Sequence, residues 1–218
     1  MDNGWQKRQR RLKRWVADIW DDQGDSRGRE TYLAWHEDFL DRFYRPPPGP
    51  AAVLLDVGCG YMLRNFHRAG RLQNLTDRLG AQYVGVDPER DWFDVPAPGP
   101  LGLCQGLGEN LPFVADAFDA VFCLGVLDHV RHPDEVLREI GRVLKVGGAF
   151  WFANSYVRGS WWQVGWEMAR HRLGLDESHR FVWTPRGLER LVRRAGFRIV
   201  RTGECPVTTS HYIEARHP

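Results

Sequence analysis

The chain has 218 residues, 43% of them hydrophobic, and a formal net charge of +2. That length suits one α/β domain with additions, and that apolar share is enough for a proper core. The near-neutral balance gives no global case for nucleic acid or a membrane surface, and no run of ~20 apolar residues is present to span a bilayer.

The N-terminus is basic but lacks the apolar centre of a signal peptide, so secretion is not expected. Cys59, Cys104, Cys123 and Cys205 form no C-x-x-C pair, and three fall in or beside predicted strands. They read as reduced, mostly buried thiols of a cytoplasmic protein. Ten tryptophans are many for this length and suggest aromatic walls, either core or a pocket for a flat or apolar substrate.

In chain order, residues 5–20 carry Leu12, Trp15, Val16 and Ile19 at helical spacing, with Lys and Arg opposite. This is a solvated helix packed on the domain, a helix on anionic lipid or nucleic acid, or one that closes over a ligand. Asp21 to Glu30 is polar and contains glycine, so a break is predicted there. A second helix is predicted from Glu30 to Tyr44, with Tyr32, Trp35, Phe39, Leu40 and Phe43 on one face. "RPPPGP" stops it as a stiff linker, which makes residues 1–50 a helical N-terminal cap and 51–218 the main domain.

Alternating strands and helices follow, which implies a parallel sheet with right-handed crossovers. Strands are predicted at Ala52 to Val57, Gln82 to Val86, Leu101 to Gln105, Ala120 to Leu124 and Ala149 to Ala153. Helices are predicted over Leu63 to Leu79, interrupted at Gly70, and over Asp134 to Leu144, with Gly147 and Gly148 beyond its end. An aromatic helix from Ser160 to Leu173 reads as an insertion at about 158–175. Thr184 and Pro185 form an N-cap and N1 pair for a helix that runs to Ala195. Phe197 to Thr202 and Thr208 to Ala215 could pair as a hairpin.

The chemistry centres on "VLLDVGCG" and "YVGVD". A buried strand runs into Gly58 and Gly60, which let the backbone turn and a ligand lie against it. A helix starting there points its N-terminus at that ligand. Asp87, an acid ending the second strand, suits ribose hydroxyls. The pattern is one half of a nucleotide site. It does not complete the G-x-G-x-x-G of dinucleotide oxidoreductases, because "GCGYML" lacks the last glycine.

"LLDVGCG", "YVGVDPE" and "GLGENLPFVADAFDAVFCLGVLDHVRHPDEVLREIGRVLKVGGAFWFA" together resemble a class I S-adenosylmethionine-dependent methyltransferase. The nearest group is the small-molecule branch related to the ubiquinone and menaquinone methyltransferases. The match covers about Leu54 to Ala153, with a weaker tail in "DESHRFVWTPRGLERLVRRAGFRIV". The resemblance implies a Rossmann-like, seven-stranded, mostly parallel sheet whose last strand is antiparallel. It implies S-adenosyl-L-methionine as cofactor and a methyl transfer to O or N of a small molecule. Asp56, Gly58, Cys59 and Gly60 would lie against the methionine part, Asp87 on the ribose, and Pro88 beside the adenine. Leu107, Gly108 and Glu109 would form the adenine-edge segment, and Leu124 and Gly125 would face the methyl group. Two positions depart from the family pattern. Met62 stands at the third glycine of the turn, and Leu107 stands where Asp is frequent. They leave open a non-catalytic member of the fold that binds a ligand or partner.

Methyl transfer is an in-line displacement, and a base is needed only if the nucleophile must lose a proton. The candidate catalytic residues are His129, His179 and Tyr156, each also readable as loop structure or packing. Asp128, His129 and His132 lack a further ligand nearby, so no metal is expected. Trp161, Trp162 and Trp166 would form a substrate lid or bury the inserted helix. Arg29 is a candidate for the cofactor carboxylate, or a solvated charge.

Overall fold

The computed structural model describes residues 26–47, 49, 51–89, 102–157, 162, 165, 166, 169 and 181–218. Among these, the helix α1 spans Ser26–Asp38 and runs into a π-helical turn, Phe39–Phe43. Then follow β1 (Val53–Val57), α2 (Gly60–Arg68), α3 (Leu72–Leu79), β2 (Gln82–Asp87), β3 (Gly102–Gln105) and β4 (Phe118–Leu124). The chain continues through α4 (Pro133–Val143), β5 (Leu144–Ser155), α5 (Pro185–Arg194), β6 (Arg198–Glu204) and β7 (Ser210–Arg216).

The seven strands form one sheet in the order β3-β2-β1-β4-β5-β7-β6. Strands β1 to β5 pair in parallel, and β7 is antiparallel to both β5 and β6. The chain steps outward from β1 to β2 and β3, then returns to β4 on the other side. The carboxyl ends of β1 and β4 therefore flank the switch point where ligands of such sheets bind.

Both faces of the sheet are covered, which is why β1 reads as an apolar run broken only by Asp56. On one face Leu54, Phe122 and Trp151 pack with α1, the π-helical turn, α2 and α3 through Trp35, Phe39, Phe66 and Leu75. On the other, Leu55, Val121 and Phe150 pack with α4 and α5 through Val136, Ile140, Leu188 and Val192. Each such side chain contributes about 1.5–3 kcal/mol on burial. The N-terminal helix α1 thus shares one core with the sheet. Phe39 meets Phe122 edge-on at 5.4 Å and Tyr212 at 5.6 Å.

Most expectations about elements hold. Gly70, at φ +66°, separates α2 from α3. The hydroxyl of Thr184 accepts the Gly187 N–H at 3.1 Å and caps α5, with Pro185 first in the helix. The final hairpin forms and supplies the antiparallel strand. Cys59, Cys123 and Cys205 are buried and free, and Cys104 is partly buried.

Two boundaries are corrected. The break predicted at Asp21 to Glu30 ends by Ser26, where α1 begins. One glycine costs a helix only about 1 kcal/mol, and the packing of Trp35 and Phe39 outweighs it. Gly147 and Gly148 do follow the end of α4 at Val143, but the strand expected from Ala149 begins before them. They lie inside β5, which starts at Leu144. Gly147 donates to the His217 carbonyl and His217 donates to the Gly148 carbonyl, so pairing with the chain after β7 draws the strand back. The helix predicted over 5–20 lies outside the described residues. Of the inserted helix only Trp162, Gly165, Trp166 and Ala169 are described, and each is helical. Trp162 and Trp166 are 59% and 61% exposed, so they are not burying that helix on the sheet.

Candidate functional site

Four strand ends meet on the carboxyl edge: Gly58 after β1, Asp87 ending β2, Gly125 after β4 and Tyr156 after β5. Gly58 has φ +79°, and a Cβ there would fall 2.4 Å from Cγ2 of Val126. The loop leaving β4 therefore rests directly on the glycine turn, and no larger residue fits. The Gly58 N–H donates to the Val86 carbonyl at 2.7 Å, which ties the turn to β2.

Asp87 is the pivot of the edge. One carboxylate oxygen accepts the N–H of Gly60, the first residue of α2, at 3.1 Å. The other accepts the N–H of Glu89 at 2.9 Å. Each oxygen keeps a lone pair for a further donor. Burial pushes this carboxyl up to about 7, opposed by the Gly60 hydrogen bond. Pro88 continues the strand end, its carbonyl accepting from the Gln105 amide.

Two residues expected against a ligand turn inward. The Asp56 carboxylate accepts the Tyr83 hydroxyl from β2 and is buried. Burial pushes it up to about 7, the Tyr83 hydrogen bond opposing and the Asp87 charge adding. Its side chain therefore braces β1 on β2. Cys59 is likewise fully buried, its sulfur against Gly85, where a Cβ would fall 2.6 Å away. This residue can offer a ligand only its main chain.

Leu107 is 39% exposed and forms an isolated bridge with Asn110. Gly108 packs its backbone on Val136 and Val57, where a Cβ would come within 3.3–3.4 Å. Glu109 turns to the β4–α4 loop, its carboxylate accepting the N–H groups of Arg131 at 2.8 Å and His132 at 3.4 Å. It holds the entry to α4.

At the exit of β4, Leu124 is buried and Gly125 has φ +70°. The six-membered ring of Trp35 lies over Gly125, with Cη2 3.2 Å from where a Cβ would sit. Trp35 meets Tyr32 edge-on at 6.2 Å. The Tyr32 hydroxyl is raised by burial and then by the charge of Asp128. Asp128 is buried, and its Oδ1 lies 3.7 Å from Nε2 of His129. Asn154, fully buried at the end of β5, accepts the Leu127 N–H at 3.2 Å and fixes this loop. Tyr156 is buried, edge-on to His211 at 6.3 Å. His211 in turn lies 3.3 Å from Glu189 of α5.

Met62 is 2% exposed and packs in the core with Trp35 and Phe66. It occupies the interface of α2 with α1, so it does not crowd the glycine turn. Arg29 lies in α1, with its side chain outside those described. His179 and Trp161 also lie outside the described residues. Among the described residues no three His, Cys, Asp or Glu side chains gather as a metal site, and no helix is long and apolar enough to cross a membrane.

The sequence reading missed three contributors: Trp35 and Tyr32 as site walls, and Asn154 as the brace of the β4 exit. The polar break in "FWFANS" was the available signal for Asn154. Nothing local announces that Trp35 crosses to Gly125.

An α/β sheet in this order, with a glycine turn, an acid on β2 and an antiparallel β7, defines a class I methyltransferase. The chain matches the family model described as "Methyltransferase domain" over residues 5–202, and it belongs to that family of S-adenosylmethionine-dependent enzymes. It is 27% identical to a ubiquinone biosynthesis O-methyltransferase of Methylobacterium nodulans, over 88% of this chain and 82% of the relative. It is 31% identical to a tRNA U34 carboxymethyltransferase of Methylococcus capsulatus, over 81% of this chain and 54% of the relative. The chain spans about half the length of several curated relatives it matches. In fold it is similar to a chain of the complex between the Haloferax volcanii Trm112 methyltransferase activator and a methyltransferase. There the TM-score is 0.67 at 16% identity, over 100% of this chain and 99% of that one.

The residues present fit the cofactor this fold implies. A buried carboxylate with spare lone pairs ends β2, and an open-φ glycine leaves backbone rather than side chain at the turn.

Proposed function

We propose that this chain transfers the methyl group of S-adenosylmethionine to a hydroxyl oxygen of a small-molecule acceptor. Asp87 would take the ribose hydroxyls, and the main chain of Gly58, Cys59 and Gly60 would border the methionine part. Pro88, Leu107 and Gly108 would line the adenine. Leu124 and Gly125 would sit beside the reacting carbon. The cofactor supplies an activated methyl group, and alignment of acceptor and methyl carbon can lower the barrier by about 7–11 kcal/mol.

The observation that carries the reading is the Asp128–His129 pair beside Gly125. A hydroxyl nucleophile must lose its proton, and His129 can accept it with Asp128 balancing the resulting imidazolium. Trp35 and Tyr32 supply an apolar wall at the same loop, which suits a compact acceptor. Tyr156, packed on His211, supports the far side of the β5 exit. The relatives named O-methyltransferases favour oxygen, and those named tRNA carboxymethyltransferases make RNA the competing acceptor. Within the expected cap, α1 and the π-helical turn that follows it pack on the sheet as one core with it.

The test is calorimetric titration with S-adenosylmethionine, S-adenosylhomocysteine and NAD, followed by transfer of labelled methyl to small hydroxyl compounds and to tRNA. Micromolar binding of both sulfur ligands, none of NAD, and label in a small molecule are expected. His129→Gln should then lower kcat about 10²–10⁴-fold with cofactor affinity kept. Label in tRNA alone overturns the acceptor. No binding of either sulfur ligand overturns the enzyme reading in favour of a non-catalytic member of the fold.

A further inference from the structure

We propose that Tyr212 of β7 is a positioning residue for the ligand site: its hydroxyl clamps the last turn of α1 and so sets the Trp35 ring on Gly125. This rests on the cofactor reading above, which puts Gly125 beside the reacting carbon, and adds to it what aims the aromatic wall there.

The contacts run from strand to site in two steps. The Tyr212 hydroxyl lies 3.3 Å from the Trp35 carbonyl and 3.1 Å from Oδ2 of Asp38, so its one proton serves two acceptors in the last turn of α1. Arg42 donates to the other oxygen of Asp38 at 2.8 Å, which balances that acid and keeps Oδ2 turned to the hydroxyl. At the other end of the same residue, Cη2 of the Trp35 ring comes 3.2 Å from where a Gly125 Cβ would sit. Tyr212 is buried. Burial chiefly, with Cys205 and Asp38 adding, holds its hydroxyl well above the ordinary value, so it stays a donor.

Trp35 needs such a clamp. Its indole N–H is buried and has no hydrogen-bond partner among the described residues, although a buried indole N–H usually finds one. The ring is therefore not aimed by its own polar tip. Its place follows from packing and from where its main chain is held. That main chain lies just before the helix gives way to the π-helical turn, a rare departure from α geometry that recurs at functional sites. Past the turn, Arg201 of β6 donates to the Phe43 carbonyl, its guanidinium 4.4 Å from the centre of the Phe43 ring. Strands β6 and β7 thus hold the turn on both sides, and Tyr212 takes the side of Trp35.

The test needs no acceptor. The full chain and its variants are titrated calorimetrically with S-adenosylmethionine, and their stabilities are followed by urea unfolding. Tyr212→Phe removes the hydroxyl and keeps the ring against Phe39 and Phe43. It should weaken binding about three- to tenfold, the scale of one hydrogen bond. Trp35→Phe removes the atoms that reach Gly125 and should weaken binding as much or more. The double variant should match Trp35→Phe within about twofold, because the hydroxyl acts through that ring. Tyr44→Phe controls for the plain loss of a buried hydroxyl, since Tyr44 donates to the Leu79 carbonyl of α3 at 2.6 Å in the same core. It should lose stability with S-adenosylmethionine affinity kept. Asp38→Ala leaves the hydroxyl to the Trp35 carbonyl alone and should also keep affinity within about twofold. It carries the comparison if Tyr212→Phe fails to fold. Wild-type affinity in Tyr212→Phe, additive losses in the double variant, an equal loss in Tyr44→Phe, or a loss in Asp38→Ala as large as in Trp35→Phe would overturn the inference and leave the cofactor reading intact. Absence of binding to the wild type overturns both.

Discussion

Asp87 accepts the main-chain N–H of Gly60 at 3.1 Å, so the acid that ends β2 also fixes the first residue of α2. The glycine turn and the expected ribose contact are therefore one mechanical unit. A group that binds a ligand here also sets where the helix N-terminus points.

Asp87→Ala should weaken S-adenosylmethionine binding about 10–100-fold, the equivalent of about 1.5–3 kcal/mol for hydrogen bonds to a charged group. Calorimetry checks it. Unchanged affinity would remove Asp87 from the cofactor site.

The carboxyls of Asp56 and Asp87 are both pushed up to about 7, burial being the chief cause. In the unfolded chain they ionise near the ordinary aspartate value, about 3.9. Below that pH both states are protonated. Between about 4 and 7 the unfolded state alone has lost the protons, so each carboxyl makes stability fall as pH rises. His36, lowered to about 4, acts in the opposite direction below about 6.5. Comparison with Asp87→Asn isolates one carboxyl. In urea unfolding without ligand, the variant should gain on the wild type by a few kcal/mol between pH 5 and 8. A pH-independent difference would mean that Asp87 ionises normally.

Gly58→Ala should destabilise by about 1–3 kcal/mol or more, because the new Cβ meets Val126 and the φ of +79° is strained for any side chain. Adding Val126→Ala should restore the clash part and leave the strain part. Thermal unfolding of the single and double variants separates the two. Full additivity would show that the β4 exit loop does not rest on the turn.

Met62→Ala should cost about 2–5 kcal/mol in urea unfolding, as for other truncations in a packed core. It should not tighten S-adenosylmethionine binding. A gain in affinity would mean that the side chain had been intruding on the ligand.

The strand order was legible because its signals are local. "VLLDV" and "FDAVFCL" are mainly apolar runs of central strands, each with a single Asp, and Thr184–Pro185 is a cap with a chemical reason. Within the site, Gly58, Gly60 and Asp87 were legible for the same reason, since backbone freedom and a strand-ending acid show in the letters. Other features depend on what lies across a contact. Asp56 looked ligand-facing until Tyr83 took its carboxylate, and Cys59 until Gly85 made room for its sulfur. Glu109 turned to Arg131 and His132, partners more than 20 positions away. Met62 seemed a fault in a glycine motif because α1, which needs that side chain, is remote in sequence. The start of β5 is Leu144 rather than the expected Ala149, because the hydrogen bonds of Gly147 and Gly148 with His217 join residues remote in sequence.

The placement of β7 carries a kinetic consequence. Seventh in sequence, it sits between β5 and β6, with its pairing to β5 running from Ala149–Arg216 to Ser155–Ser210. On a ribosome, β1 to β5 can emerge and assemble while the outer flank of β5, with Phe150 and Phe152, has no neighbour. That open flank is a template for pairing with another nascent chain until residues 210–216 arrive. Closing it requires contacts between distant parts of the chain, a slow kind of step. The last seven-residue strand therefore governs how long the protein is exposed to self-association during synthesis.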